Sequence, residues 1–138
     1  MTTALLTDRY ELTMVQAALR SGKAERQTVF EVFTRSLPAG RRFGVLAGNG
    51  RLLAAVQKFR FEKEEIAFLL KNEIVDESTA VWLENFRFKG NIYGYQEGEL
   101  FFANSPVLRV EGSFAEAVIL ETVILSILNY DSAVASAA

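Results

Sequence analysis

The chain has 138 residues, neither histidine nor cysteine, and a formal net charge of −2. That length suits one domain, and the missing residue types exclude disulfides, thiolate nucleophiles, iron–sulfur clusters and imidazole bases or ligands. The pI near 5.3 lacks the basic field of a nucleic-acid binder, and the mean hydropathy of +0.14 is not that of a membrane protein, so neither partner is expected.

Residues 1–8 reach Asp8 with no basic stretch leading into an apolar one, which is not the pattern of a secretory signal, and a cytoplasmic location is expected. Asp8 and Glu11 have the spacing of a capping box, and Leu12, Val15 and Leu19 then recur on one helical face as far as Gly22. A helix over 8–21 follows. The β-branched and aromatic run Thr28 to Phe33 predicts a strand over 27–35, entering a basic, glycine-containing loop around Arg41 and Arg42.

Helical patterns return over about 50–86, with Asp76 as a cap for a helix carrying Val81, Trp82 and Phe86. The motif Phe-Arg-Phe occurs at 59–61 and 86–88. Alternating aromatics and arginines can stack nucleobases, but the acidic pI favours Phe packed inward and Arg left outside. Strand signals fill 91–111 and suggest a three-stranded antiparallel piece broken by Glu97-Gly98 and Asn104-Ser105-Pro106. Its likeness to a biotinyl or lipoyl carrier fails, because that last turn has no lysine. Together these elements make an α+β domain over 1–112, an antiparallel sheet with several helices.

Ser113 and Glu116 form a second capping box and open a long helix over 113–138, apolar on almost every side. Its most apolar part, Ala117 to Leu128, falls short of the roughly 20 residues a membrane span needs, so a buried helix is expected. Such a helix asks for cover beyond the preceding elements, either further chain or a second copy. Its small-residue end, Ser132 to Ala138, has no Gly or Pro stop and reads as a helix that continues.

No phosphate-cradling glycine loop, metal-ligand cluster or nucleophile elbow is present. Gly44 to Gly50 lacks the Lys-Ser/Thr of a P-loop and reads as a turn approaching a helix. Three weak candidates remain. Asp8 and Tyr10 stand together at a helix start, Arg35 follows a strand beside a glycine loop and can grip a phosphate, and Glu97 and Glu99 share one side of a strand without a proton-shuttling partner. On pattern alone Asp8 is a cap, Tyr10 a packing residue, Arg35 a solubilising charge, and the two glutamates are solvated.

The segment Leu5-Leu6-Thr7-Asp8-Arg9-Tyr10-Glu11-Leu12-Thr13-Met14 resembles the N-terminal signature of the nicotinate phosphoribosyltransferases. The likeness continues through Val29 to Pro38, Phe43 to Gly48, Asn85 to Phe88, Glu97 to Phe101, Pro106 to Gly112 and Leu120-Glu121-Thr122, in that family's order. It implies an open-faced sandwich that forms the N-terminal part of a larger two-domain phosphoribosyltransferase whose α/β barrel is mostly absent here, with 113–138 leading into that barrel. It also implies transfer of phosphoribosyl from phosphoribosyl pyrophosphate to nicotinate in NAD biosynthesis, coupled to ATP hydrolysis through a phosphorylated histidine in the barrel, with Mg²⁺ as the usual ion. The family further implies a homodimer with shared active sites. Tyr10 would stack on nicotinate in the neighbouring subunit's site, Asp8 would position the ring or its surroundings, and Arg35 would contact phosphate across the interface. No catalytic residue or metal ligand is expected in this segment, which alone would be inactive. The competing reading is a non-catalytic α+β domain that dimerises through the helix from Ser113 onward.

Overall fold

A computed structural model describes residues 3–138; the first two residues of the expected 1–112 domain lie outside it. A 3-10 turn at Ala4–Leu6 leads into α1 (Arg9–Arg20), β1 (Gln27–Val32) and β2 (Gly44–Val45). Three helices follow, α2 (Asn49–Lys58), α3 (Lys63–Lys71) and α4 (Glu77–Asn85), and then β3 (Asn91–Gly94), β4 (Leu100–Phe101) and β5 (Leu108–Ser113). The chain closes with α5 (Phe114–Val118) and α6 (Glu121–Ala137).

The main sheet has the antiparallel order β1-β5-β3, with Phe30 opposite Val110 and Ile92 opposite Val110 on the other side. Its strands alternate as a half-covered sheet requires. Leu108 and Val110 point into the core, while Arg109 lies outside with its guanidinium 4.9 Å from the centre of the Tyr93 ring and 2.9 Å from Glu111. Helices cover only the inner face, where the Phe30 and Phe114 rings meet at 6.1 Å. The sheet is therefore open-faced, with Val29 and Tyr93 exposed on its bare side.

The expected three-stranded piece over 91–111 divides differently. β5 is the central strand, and β4 leaves to pair with β2, placing Gly44 opposite Phe101 and Val45 opposite Leu100. The Phe101 ring occupies the space that a side chain at Gly44 would need, so this pairing requires glycine. β1 also ends at Val32 rather than at 35, because its partner β5 begins at Leu108 opposite Val32. Beyond that point Val107 N–H still donates to the Val32 carbonyl, but Phe33 to Arg35 have left the ladder.

The helical stretch after Gly50 breaks at 59–62, where Phe59 and Phe61 turn into the core. Phe59 meets Phe61 and Phe86 edge-on at 5.7 and 5.8 Å, and Trp82 lies 5.3 Å from Phe86. Each such buried ring is worth about 1.5–3 kcal/mol by burial. Arg60 and Arg87 stay outside, so the Phe-Arg-Phe motifs are core anchors and offer no rings for stacking bases. Asp76 caps α4 by accepting from Thr79 N at 2.8 Å and also pairs with Arg20 of α1, which ties the helical layer together.

The expected single helix over 113–138 is two helices. The turn at Ile119–Leu120 separates them, and α6 begins without a side-chain cap of its own. Taken together, Phe114–Ala137 is long and apolar enough to cross a membrane by length and composition, which the shorter stretch considered in the sequence was not. In the fold, Val123, Ile124, Leu128 and Ser132 are buried, while Leu125, Tyr130 and Val134 remain exposed.

The small-residue end of α6 has a local use. Val45 N donates to Ser136 Oγ at 2.8 Å and Ala47 N to Ser132 Oγ at 3.1 Å. Four helical residues advance about 6 Å, close to the 6.6 Å or so that two strand residues cover, so hydroxyls at i and i+4 can serve backbone groups at j and j+2. α6 thus supplies the hydrogen bonds that the free side of β2 would otherwise lack.

Candidate functional site

The start of α1 is built around a buried carboxylate. Asp8 is the N-cap and Glu11 the third helical residue, and Glu11 accepts from Asp8 N–H at 3.2 Å to close the capping box. The same Glu11 Oε2 accepts a hydrogen bond from the Thr7 hydroxyl. Its other oxygen crosses to α6, accepting from Thr122 N at 2.9 Å and Thr122 Oγ1 at 2.6 Å. One side chain therefore caps two helices, its own and the one that lacks a cap. Glu11 is fully buried, and burial raises its pKa; the bonds from Thr122 and Asp8 offset this in part, and the Glu121 charge adds to it.

Tyr10 stands on the same first turn of α1. Its hydroxyl lies near Glu121, the first residue of α6, while the side chain as a whole is 46% exposed. Desolvation, the neighbouring Glu121 carboxylate and the charges of Glu11 and Asp8 push the phenol up to about 12. A phenol held that high is a neutral donor near pH 7, neither base nor nucleophile. What remains for chemistry is its ring, an aromatic surface open to solvent.

Asp8 and Tyr10, expected together, are together. Arg35 is not with them. It is exposed in the loop after β1 and has no ion pair among the described residues. That loop runs beside the later turns of α6, where Thr34, Ser36 and Arg41 border a mostly apolar cavity of about 500 Å³ that also touches Leu125 and Ser136. Tyr10 lies near the first turn of α6, and no hydrogen bond, ion pair or ring contact joins it to Arg35.

The paired glutamates do not stand idle in solvent. Glu97 accepts from Gly48 N at 2.8 Å and Asn49 N at 2.9 Å, neutralising the start of α2 from the β3–β4 turn, and Glu99 accepts from Gln96 N. Gly48, with φ +105, makes the approach turn expected there. The reach of Glu11 to Thr122 across the chain is not legible in the sequence. Glu11 announces itself locally only as a capping residue, and nothing near it in sequence points to a partner more than a hundred positions away.

Residues 5–129 match the family model described as the nicotinate phosphoribosyltransferase (NAPRTase) N-terminal domain. The chain is 59% identical over 134 residues to nicotinate phosphoribosyltransferase pncB1 of Mycobacterium tuberculosis, covering 97% of this chain and 30% of that protein. It is 33% identical over 135 residues to nicotinate phosphoribosyltransferase of Bacillus subtilis, covering 98% and 28%. Its fold superposes on the crystal structure of human nicotinic acid phosphoribosyltransferase with a TM-score of 0.87 at 29% identity, over 95% of this chain and 27% of that one. A more distant match, nicotinate-nucleotide pyrophosphorylase from Pyrococcus furiosus, gives a TM-score of 0.62 at 25% identity. The chain thus spans less than a third of the length of these relatives. A matching family model over nearly the whole chain, and a shared fold whose first helix carries the Asp8–Tyr10 turn, make this chain a member of the nicotinate phosphoribosyltransferase N-terminal domain family.

Proposed function

We propose that this domain serves an enzyme that transfers the phosphoribosyl group of phosphoribosyl pyrophosphate to the ring nitrogen of nicotinate. The products are nicotinate mononucleotide and pyrophosphate, with ATP hydrolysis coupled to the transfer, in cytoplasmic NAD biosynthesis. The supporting observation is the family match over residues 5–129, with enzymes of this name as relatives. A non-catalytic interaction domain is not favoured.

Phosphoribosyl transfer passes through an oxocarbenium-like state at the ribose C1, so a protein helps chiefly by aligning the pyridine nitrogen and stabilising the departing pyrophosphate. In this reading Tyr10 provides an aromatic wall on which the nicotinate ring stacks, in the neighbouring subunit's site of a homodimer. An offset stack of that kind is worth about 1 kcal/mol. Asp8 fixes the turn that carries the wall, and Arg35 contacts phosphate across the interface. The separation of Tyr10 from Arg35 within one chain is compatible with a site completed by another subunit.

The chain contains no histidine, so the phosphorylated group of the coupling step is assigned outside it. Among the described residues no group of three or more Asp or Glu could hold a metal ion, and the Mg²⁺ that the family implies would be held chiefly by substrate phosphates and water. Neither membrane nor nucleic acid enters the proposal. The test is product analysis: the full-length protein given nicotinate, phosphoribosyl pyrophosphate and ATP should form nicotinate mononucleotide. No product, or preferential use of nicotinamide, overturns the reading.

A further inference from the structure

We propose that Glu11 is a positioning residue for Tyr10, locking the first turn of α1 onto the first turn of α6 so that the ring is presented at a fixed angle. The proposal rests on the reading of Tyr10 as the nicotinate wall, and it adds what holds that wall in place. A tyrosine that is 46% exposed has freedom to swing unless the turn that bears it is fastened. Here the backbone turn bearing Tyr10 is tied to Thr122, in the first turn of α6, by the two bonds to Glu11 Oε1, of 2.9 and 2.6 Å.

The other Glu11 oxygen closes the clasp on the near side through Asp8 N and Thr7 Oγ1, and Thr7 Oγ1 also lies 3.4 Å from the Ile119 carbonyl in the turn before α6. All the groups that meet Glu11 are donors, so an ionised carboxylate satisfies every one of them. A glutamine of the same shape can serve only one side, because its NH₂ would face donors on the other. The clasp is also remote in sequence, Glu11 and Thr122 being 111 positions apart, which makes the Tyr10 angle depend on the docking of α6 as well as on its own helix.

Two measurements test this. The first needs no substrate: acetylation of tyrosines in the chain by N-acetylimidazole, mapped by mass spectrometry. Glu11→Gln and the milder Thr122→Val should both speed modification of Tyr10 severalfold while leaving the exposed Tyr130 unchanged. Equal acceleration at both tyrosines indicates general loosening and overturns the proposal, as does no change at Tyr10. The second uses the full-length enzyme. Glu11→Gln should raise the KM for nicotinate about fivefold, leave that for phosphoribosyl pyrophosphate unchanged, and add less than about twofold once Tyr10→Ala is present. Full additivity with Tyr10→Ala, or a rise in both constants, overturns the positioning role. If acetylation responds as expected but Tyr10→Ala leaves the nicotinate KM unchanged, the clasp stands and the assignment of Tyr10 to the nicotinate site falls.

Discussion

At the scale of the residue, Glu11 combines two opposed demands. Its burial disfavours the ionised form, yet only that form accepts from Thr7, Asp8 and Thr122 together. The folded pKa therefore lies above the ordinary 4.5, so between those two values the native state holds more protons than the unfolded one, and stability declines as pH rises through that window. Glu11→Gln removes this titration. Denaturant melts of the two chains compared across pH should show the wild type losing ground to Glu11→Gln as pH climbs from about 4 through the raised value. A difference that stays flat, or grows in favour of the wild type, contradicts the account. The sequence disclosed part of this site and concealed the rest for a physical reason. Asp8 as a cap and the Asp8–Glu11 box are readable because a helix start is a local device with a fixed spacing. The cap that the same Glu11 gives to α6 depends on how distant segments dock, and no periodicity encodes that.

At the scale of the element, the clearest departures from the sequence pattern come at the two-residue strands β2 and β4. The helices α1 and α4 were legible from their caps, and β5 from its alternation. A two-residue strand such as β4 carries too few side chains for alternation to register, and its partner was decided by the ring of Phe101 over Gly44. The C-terminal serines were likewise opaque, since as composition they look like an unfinished helix, whereas as geometry they stitch α6 to β2. Replacing both Ser132 and Ser136 by Ala leaves Val45 N and Ala47 N without those partners. The cost should be about 1–3 kcal/mol in a denaturant melt, and amide exchange should speed at Val45 and Ala47 before it does in β5. Unchanged exchange at both amides contradicts the stitching role.

At the scale of the whole molecule, the domain presents an aromatic residue at one end of α6 and a loop bearing Arg35, Arg41 and Arg42 along its later turns. Under the proposed function, the aromatic face serves a planar acid and the basic side chains a polyphosphate. The two features should then separate kinetically, each acting on a different substrate. The most direct measurement is the steady-state KM for each substrate in the full-length enzyme carrying Tyr10→Ala or Arg35→Ala. Tyr10→Ala should raise the KM for nicotinate about fivefold, the equivalent of about 1 kcal/mol of lost stacking, with little change for phosphoribosyl pyrophosphate, and Arg35→Ala should do the reverse. A nicotinate KM and kcat both unchanged in Tyr10→Ala would contradict the account at its centre.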